Sequence, residues 1–104
     1  MDEEYLKETA YVTASIYRVK IMKYLQEKEY ASPKIISKDI QVNTSHTSKT
    51  LTDLSKHHLV RCINPEARKN RLYRLTEYGE TIIQYLNVLR WKRILRLVNK
   101  FTGD

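Results

Sequence analysis

Two helix-start signals stand close together in the middle of the chain, and their spacing leaves few folds open. Ser32-Pro33 puts a hydroxyl side chain at an N-cap and a proline at the first helical position. Asn43 offers a second cap a few residues on, and Ile36 and Ile40 between them lie one turn apart. A short helix over Pro33–Ile40 is predicted, then a turn at Gln41-Val42. A second helix over residues 44–57 follows, with Thr47, Leu51 and Leu54 on its inner face. Two helices joined by so short a turn form a helix-turn-helix unit.

The flanks extend this unit. Residues 9–28 read as one long helix, with Tyr11, Ala14, Tyr17, Ile21, Tyr24 and Leu25 recurring at helical spacing as its core face. Val12, Ile16 and Val19 form a second stripe on the opposite side. A surface helix needs one buried stripe, so the second implies a partner. Downstream, residues 59–63 alternate and include the β-branched Val60 and Ile63, Asn64-Pro65 breaks the pattern, and a basic stretch with Arg68, Lys69 and Arg71 follows. Residues 72–76 then alternate again, which gives a β-hairpin with a long basic tip. Asn64 and Asn70 suit its turns because Asn tolerates positive φ. Residues 76–101 read as a long helix, with Thr76 as cap and Glu77 in its first turn. Gly79 costs about 1 kcal/mol inside a helix, so a slightly later start is expected.

A chain of 104 residues fits one compact domain. With 41% hydrophobic and 30% charged residues it has the balance of a folded, helix-rich protein rather than a disordered one. The net charge of +7 favours a polyanionic partner, with nucleic acid first. A lone cysteine, Cys62, forms no internal disulfide and is compatible with a reducing compartment. The acidic N-terminus lacks the apolar region of a signal peptide, and no apolar run approaches membrane-spanning length; a cytoplasmic protein with no membrane association is expected.

The last helix changes its apolar face along its length. Ile82, Ile83, Tyr85, Leu86 and Leu89 cluster on one side, while Trp91, Ile94, Leu95, Leu97, Val98 and Phe101 cluster on a different one. Its first half is expected to pack on its own domain and its second half on another subunit. A two-fold homodimer is predicted, joined by Trp91, Ile94, Leu95, Val98 and Phe101 and by Val12, Ile16 and Val19. A bend near Leu89 that hides both faces within one chain is the alternative.

Residues 36–60, from Ile36-Ser-Lys-Asp-Ile to His58-Leu-Val60, resemble the helix-turn-helix of MarR- and ArsR-like regulators. Residues 61–79, ending in Leu75-Thr76-Glu77-Tyr78-Gly79, look like the wing of the small archaeal members, where a Leu-Thr dipeptide leads into the next helix. The similarity spans residues 15–83. His58 and Asn70 stand where those proteins often have Gly, and both residue types are enriched at positive φ. The resemblance implies a mainly α fold with a small β-hairpin wing (α+β), a winged helix-turn-helix with a long C-terminal helix. Residues 1–79 would be the DNA-binding part and 80–104 the dimerising helix of the same domain.

It also implies a dimeric repressor of transcription that takes double-stranded DNA as partner. The helix over 44–57 would enter the major groove, and the wing over 64–71 would flank the DNA. With Thr47, Leu51 and Leu54 facing the core, Thr44, Ser45, His46, Ser48, Lys49 and Thr52 face out. Lys49 suits guanine O6 and N7 or a phosphate. Ser and Thr are poor helix formers, so their density here needs a reason. Arg68, Lys69 and Arg71 suit phosphates or a narrow minor groove, and Ser32 and Lys34 add phosphate contacts. Arg74, in a strand, is expected to pair with an acidic side chain. Two other readings stay open: an architectural protein that coats DNA with little sequence preference, and a winged-helix module that binds another protein.

Catalytic chemistry finds little support. There are too few glycines for a phosphate-binding loop, and Asp39, Asp53 and Glu66 read as surface residues. Cys62 with His57 and His58 matches no zinc spacing. Neither an enzyme, a cofactor nor a metal is expected, no ligand pocket is evident, and an effector stays unassigned.

Overall fold

The computed structural model describes residues 3–101, with side chains described for residues 3–89. These residues form α1 (Glu3–Thr13), α2 (Ile16–Lys28), α3 (Pro33–Ile40), α4 (Thr44–Lys56), β1 (Val60–Cys62), β2 (Tyr73–Leu75) and α5 (Glu77–Phe101).

The segment expected as one helix is two. The chain breaks at Ala14-Ser15, where Ser15 is extended (φ −135°, ψ 123°) and its Oγ accepts from the Arg18 N–H at 3.4 Å. A new N-cap therefore opens α2. The break re-aims both apolar stripes. Val12 and Val19 come into the chain's own core at 0% and 8% exposure, which corrects their assignment to a subunit interface. Of that stripe Ile16 alone faces out, at 63% exposure, and Tyr17 leaves the expected core face at 37%.

Helix α2 lies at the centre, packed on α1, α3, α4, α5 and β2. Its Ile21, Met22 and Leu25 meet Ile36 of α3, Leu51 and Leu54 of α4, and Ile82, Ile83 and Leu86 of α5, all buried. The expected inner faces of α3, α4 and the first half of α5 are the observed ones. Thr47 is fully buried beside them, and its Oγ1 has no hydrogen-bond partner among the described residues. Trp91, Ile94, Leu95, Val98 and Phe101 lie outside the residues whose side chains are described. Backbone helix continues past Leu89 to Phe101 without a break.

The caps between α3 and α4 follow the sequence signals. Ser32 Oγ accepts from the Ile35 N–H at 3.3 Å, and Asn43 Oδ1 from the His46 N–H at 2.7 Å. Gln41 closes α3 in the left-handed region (φ 59°, ψ 49°), where its N–H donates to Ser37 O. His58 and Asn70 adopt positive φ, 60° and 57°, as their places in the pattern implied.

Strands β1 and β2 pair antiparallel with Val60 opposite Leu75, Arg61 opposite Arg74 and Cys62 opposite Tyr73. Ala31 bridges to the far edge of β2 through Tyr73, so the linker before α3 joins the hairpin. Thr76 welds the hairpin to α5: its Oγ1 donates to His58 O at 2.6 Å and accepts from the Gly79 N–H at 2.9 Å. The helix starts at Glu77, earlier than Gly79 suggested. A Cβ at Gly79 would lie 2.0 Å from Leu59 O. The glycine lets α5 approach the start of the hairpin, a gain that outweighs its poor helix propensity.

Candidate nucleic-acid interface

Helix α4 presents Thr44, Ser45, His46, Ser48, Lys49 and Thr52 to solvent, all exposed, while Thr47, Thr50, Leu51 and Leu54 fix it to the core. Two of its threonines are bonded within the helix. Thr50 Oγ1 donates to His46 O at 2.9 Å and Thr52 Oγ1 to Ser48 O at 3.0 Å, the carbonyls four residues earlier. Burial of Thr47 and Thr50 accounts for more of the hydroxyl density. Thr44, Ser45, Ser48 and Lys49 are left with no side-chain partner among the described residues, at the N-terminal half of the helix. Free N–H groups and the positive end of the helix dipole are there too, which suits an anion.

The wing tip is organised by one side chain. Asn64 Oδ1 accepts from the Leu72 N–H at 2.7 Å and from Cys62 Sγ at 3.4 Å, and its Nδ2 donates to Asn70 O at 3.2 Å. The Ala67 N–H donates to Asn64 O at 3.0 Å around Pro65, a tight turn with proline in its favoured second place. Arg68 and Lys69 are exposed and make no ion pair among the described residues. Arg71, also exposed, spends its Nε–H on Ala67 O at 2.9 Å and so braces the tip.

Lys34 is exposed in the first turn of α3. Ser32 is only 5% exposed and its hydroxyl serves the cap, so a phosphate contact gives way to a helix-start role.

Sequence reasoning missed three features. Arg74 pairs with no acid among the described residues; it stands opposite Arg61, like charge against like, which weakens a hairpin unless an anion lies nearby. Both line an open groove of about 600 Å³ with His58, Thr76, Glu77 and Glu80. The pairing was readable only once the loop length had set the register. Asn64, read as a turn residue, is the hub of the wing. Tyr17, placed in the core, packs its ring on His46 of α4, centroids 4.3 Å apart.

A polar cluster ties α1 to the far end of α4. Glu8 Oε2 lies 2.8 Å from His57 Nδ1, and Glu8 Oε1 accepts from the Tyr78 hydroxyl at 3.1 Å. Tyr11 stacks on His57 at 3.6 Å, and the Arg18 guanidinium sits 3.9 Å from the Tyr11 ring. Burial, and then the bond to Glu8, pushes the Tyr78 phenol up to about 12. Tyr24, whose hydroxyl donates to Asp39 at 2.6 Å between α2 and α3, is also pushed up to about 12, by burial and then that bond. Among the described residues no three His, Cys, Asp or Glu side chains gather as metal ligands, and no helix is long and apolar enough to cross a membrane.

This arrangement recurs in solved structures. YusO from Bacillus subtilis superposes with a TM-score of 0.79 at 15% identity, over 92% of this chain and 67% of that one. A MarR family transcription regulator gives 0.69 at 21% identity, over 94% of this chain and 64% of that one. The chain has the winged-helix fold of MarR-type proteins. A mutant MarR from E. coli, complexed with operator DNA, gives 0.59 at 20% identity, over 64% of this chain and 49% of that one. The winged helix therefore spans about two thirds or less of these proteins' length, and at such identities the likeness is one of fold. No protein-family model and no curated protein matches the sequence.

Proposed function

We propose that this winged helix is a DNA-binding transcription regulator, not an enzyme, that works as a homodimeric repressor in the cytoplasm. The observation that carries the reading is the outward face of α4. It is rigidly backed by buried residues, yet its own Thr44, Ser45, Ser48 and Lys49 have no side-chain partner among the described residues. Arg68 and Lys69 on the wing, without an ion pair among the described residues, and the net charge of +7 supply the attraction for phosphate. MarR from E. coli, a fold neighbour, is complexed with operator DNA. In this reading Lys49, His46 and the free hydroxyls address base edges, and Lys34, Arg68, Lys69 and Arg71 address phosphates.

The dimer draws support from two exposed apolar residues on adjacent helices, Leu6 of α1 at 47% and Val88 of α5 at 51%. Val88 directly precedes the sequence stretch of Trp91, Ile94, Leu95, Val98 and Phe101, which with Ile16 would form the two-fold contact within residues 80–104 and the N-terminal helices. Size-exclusion chromatography with light scattering decides it, and a strict monomer contradicts it.

Duplex binding across a salt series tests the main reading. Lys49→Ala should cost about 1–3 kcal/mol on a preferred sequence and relax the preference. Arg68→Ala should weaken all duplexes alike and lower the salt slope by about 1. Equal, sequence-independent losses from both substitutions contradict these roles.

A further inference from the structure

The DNA-facing surface of α4 does not end at α4. Tyr17 sits in the first turn of α2, directly after the break that Ser15 caps. Its ring lies against His46, centroids 4.3 Å apart and planes tilted by 55°, a favourable geometry for two aromatic rings. Tyr17 remains 37% exposed and His46 is exposed as well, so the contact contributes little to the core. Everything else about His46 is fixed. Asn43 Oδ1 accepts from its N–H at 2.7 Å, and its carbonyl accepts from Thr50 Oγ1 at 2.9 Å. A backbone held on both sides leaves the ring's rotation free, and Tyr17 packs against that ring.

Resting on the DNA-binding reading, we infer that Tyr17 is a positioning residue of the interface: it sets the His46 imidazole for one base edge, while its phenol O–H reaches an adjacent phosphate. Preorganisation of this kind raises specificity because the ring need not be ordered on binding.

The test is sequence selection from a random duplex pool, followed by affinity measurements on the selected duplex, with thermal melts confirming that each variant folds. Tyr17→Ala should lower affinity for the selected duplex about tenfold and flatten the preference at one position. His46→Ala should flatten the same position. The double variant should lose little more than Tyr17→Ala alone, because the positioning of His46 is already lost there. Tyr17→Phe should keep the preference and lose only the phosphate contact, about threefold in affinity on every duplex. An unchanged base profile in Tyr17→Ala, or additive losses in the double variant, overturns the inference while leaving the DNA-binding reading standing. No duplex binding by the unaltered chain overturns both.

Discussion

Helix α4 and the wing tip present similar exposed polar and basic groups, yet they are held in opposite ways. The inner face of α4 puts Thr47, Leu51 and Leu54 at 0% exposure against α2 and α3, so its outer face inherits the rigidity of the core. The wing tip has no such backing. Three hydrogen bonds of the Asn64 side chain and one from Arg71 hold it, at the edge of a hairpin whose paired strands are three residues each. Reading base edges demands side chains fixed to within a fraction of an ångström, whereas neutralising phosphates tolerates movement. The difference in support matches the difference in the roles proposed for them.

The comparison can be broken most forcefully where the two regions meet. Gly79→Ala forces a methyl group into the Leu59 carbonyl that joins α4 to β1, and should cost about 3 kcal/mol, read as a large fall in melting temperature. A melt unchanged within error would show that α5 does not dock there. Next in size, Asn64→Ala should cost about 1 kcal/mol in the melt. Its clearer signature is fast amide exchange at Leu72 with α4 still protected; loss of protection in both regions would show that wing and helix are one unit.

Thr47→Val removes a buried hydroxyl that has no partner among the described residues and should raise stability by up to about 1 kcal/mol. Duplex preference should stay the same, since Thr47 faces inward; a changed preference would mean that the two faces of α4 are not independent. The smallest effect lies at high pH. Tyr24 and Tyr78 have folded pKa values of about 12 against an ordinary 10, so the stability they contribute is complete below pH 10 and lost as pH rises towards 12. Alkaline melts of Tyr24→Phe and Tyr78→Phe should decline less over that window than those of the unaltered chain.

Where the fold was legible, one residue type carried one local requirement. Ser32 and Asn43 cap, Pro33 starts a helix, and His58 and Asn70 accept positive φ; none of these depends on a distant contact. The outward face of α4 followed from the same logic, since its inner residues were recognisable. The misreadings share a different cause. The apolar period runs through Ala14-Ser15 without a gap, so the cap at Ser15 was masked by a pattern that fits an unbroken helix. Gly79 looked like a weak helix residue because its reason, the carbonyl of Leu59, lies twenty residues back and across the fold. Arg61 and Arg74 could not be seen as a pair before the register was known. In each case a tertiary contact overrode a local preference.

The division of labour between α4 and the wing is tested most directly by selecting bound sequences from a random duplex pool with the unaltered chain and with Arg68→Ala. The same two-fold motif should emerge from both, with weaker overall binding for the variant. Binding without enrichment of any motif, or a motif that changes when the wing loses its charge, would contradict the account.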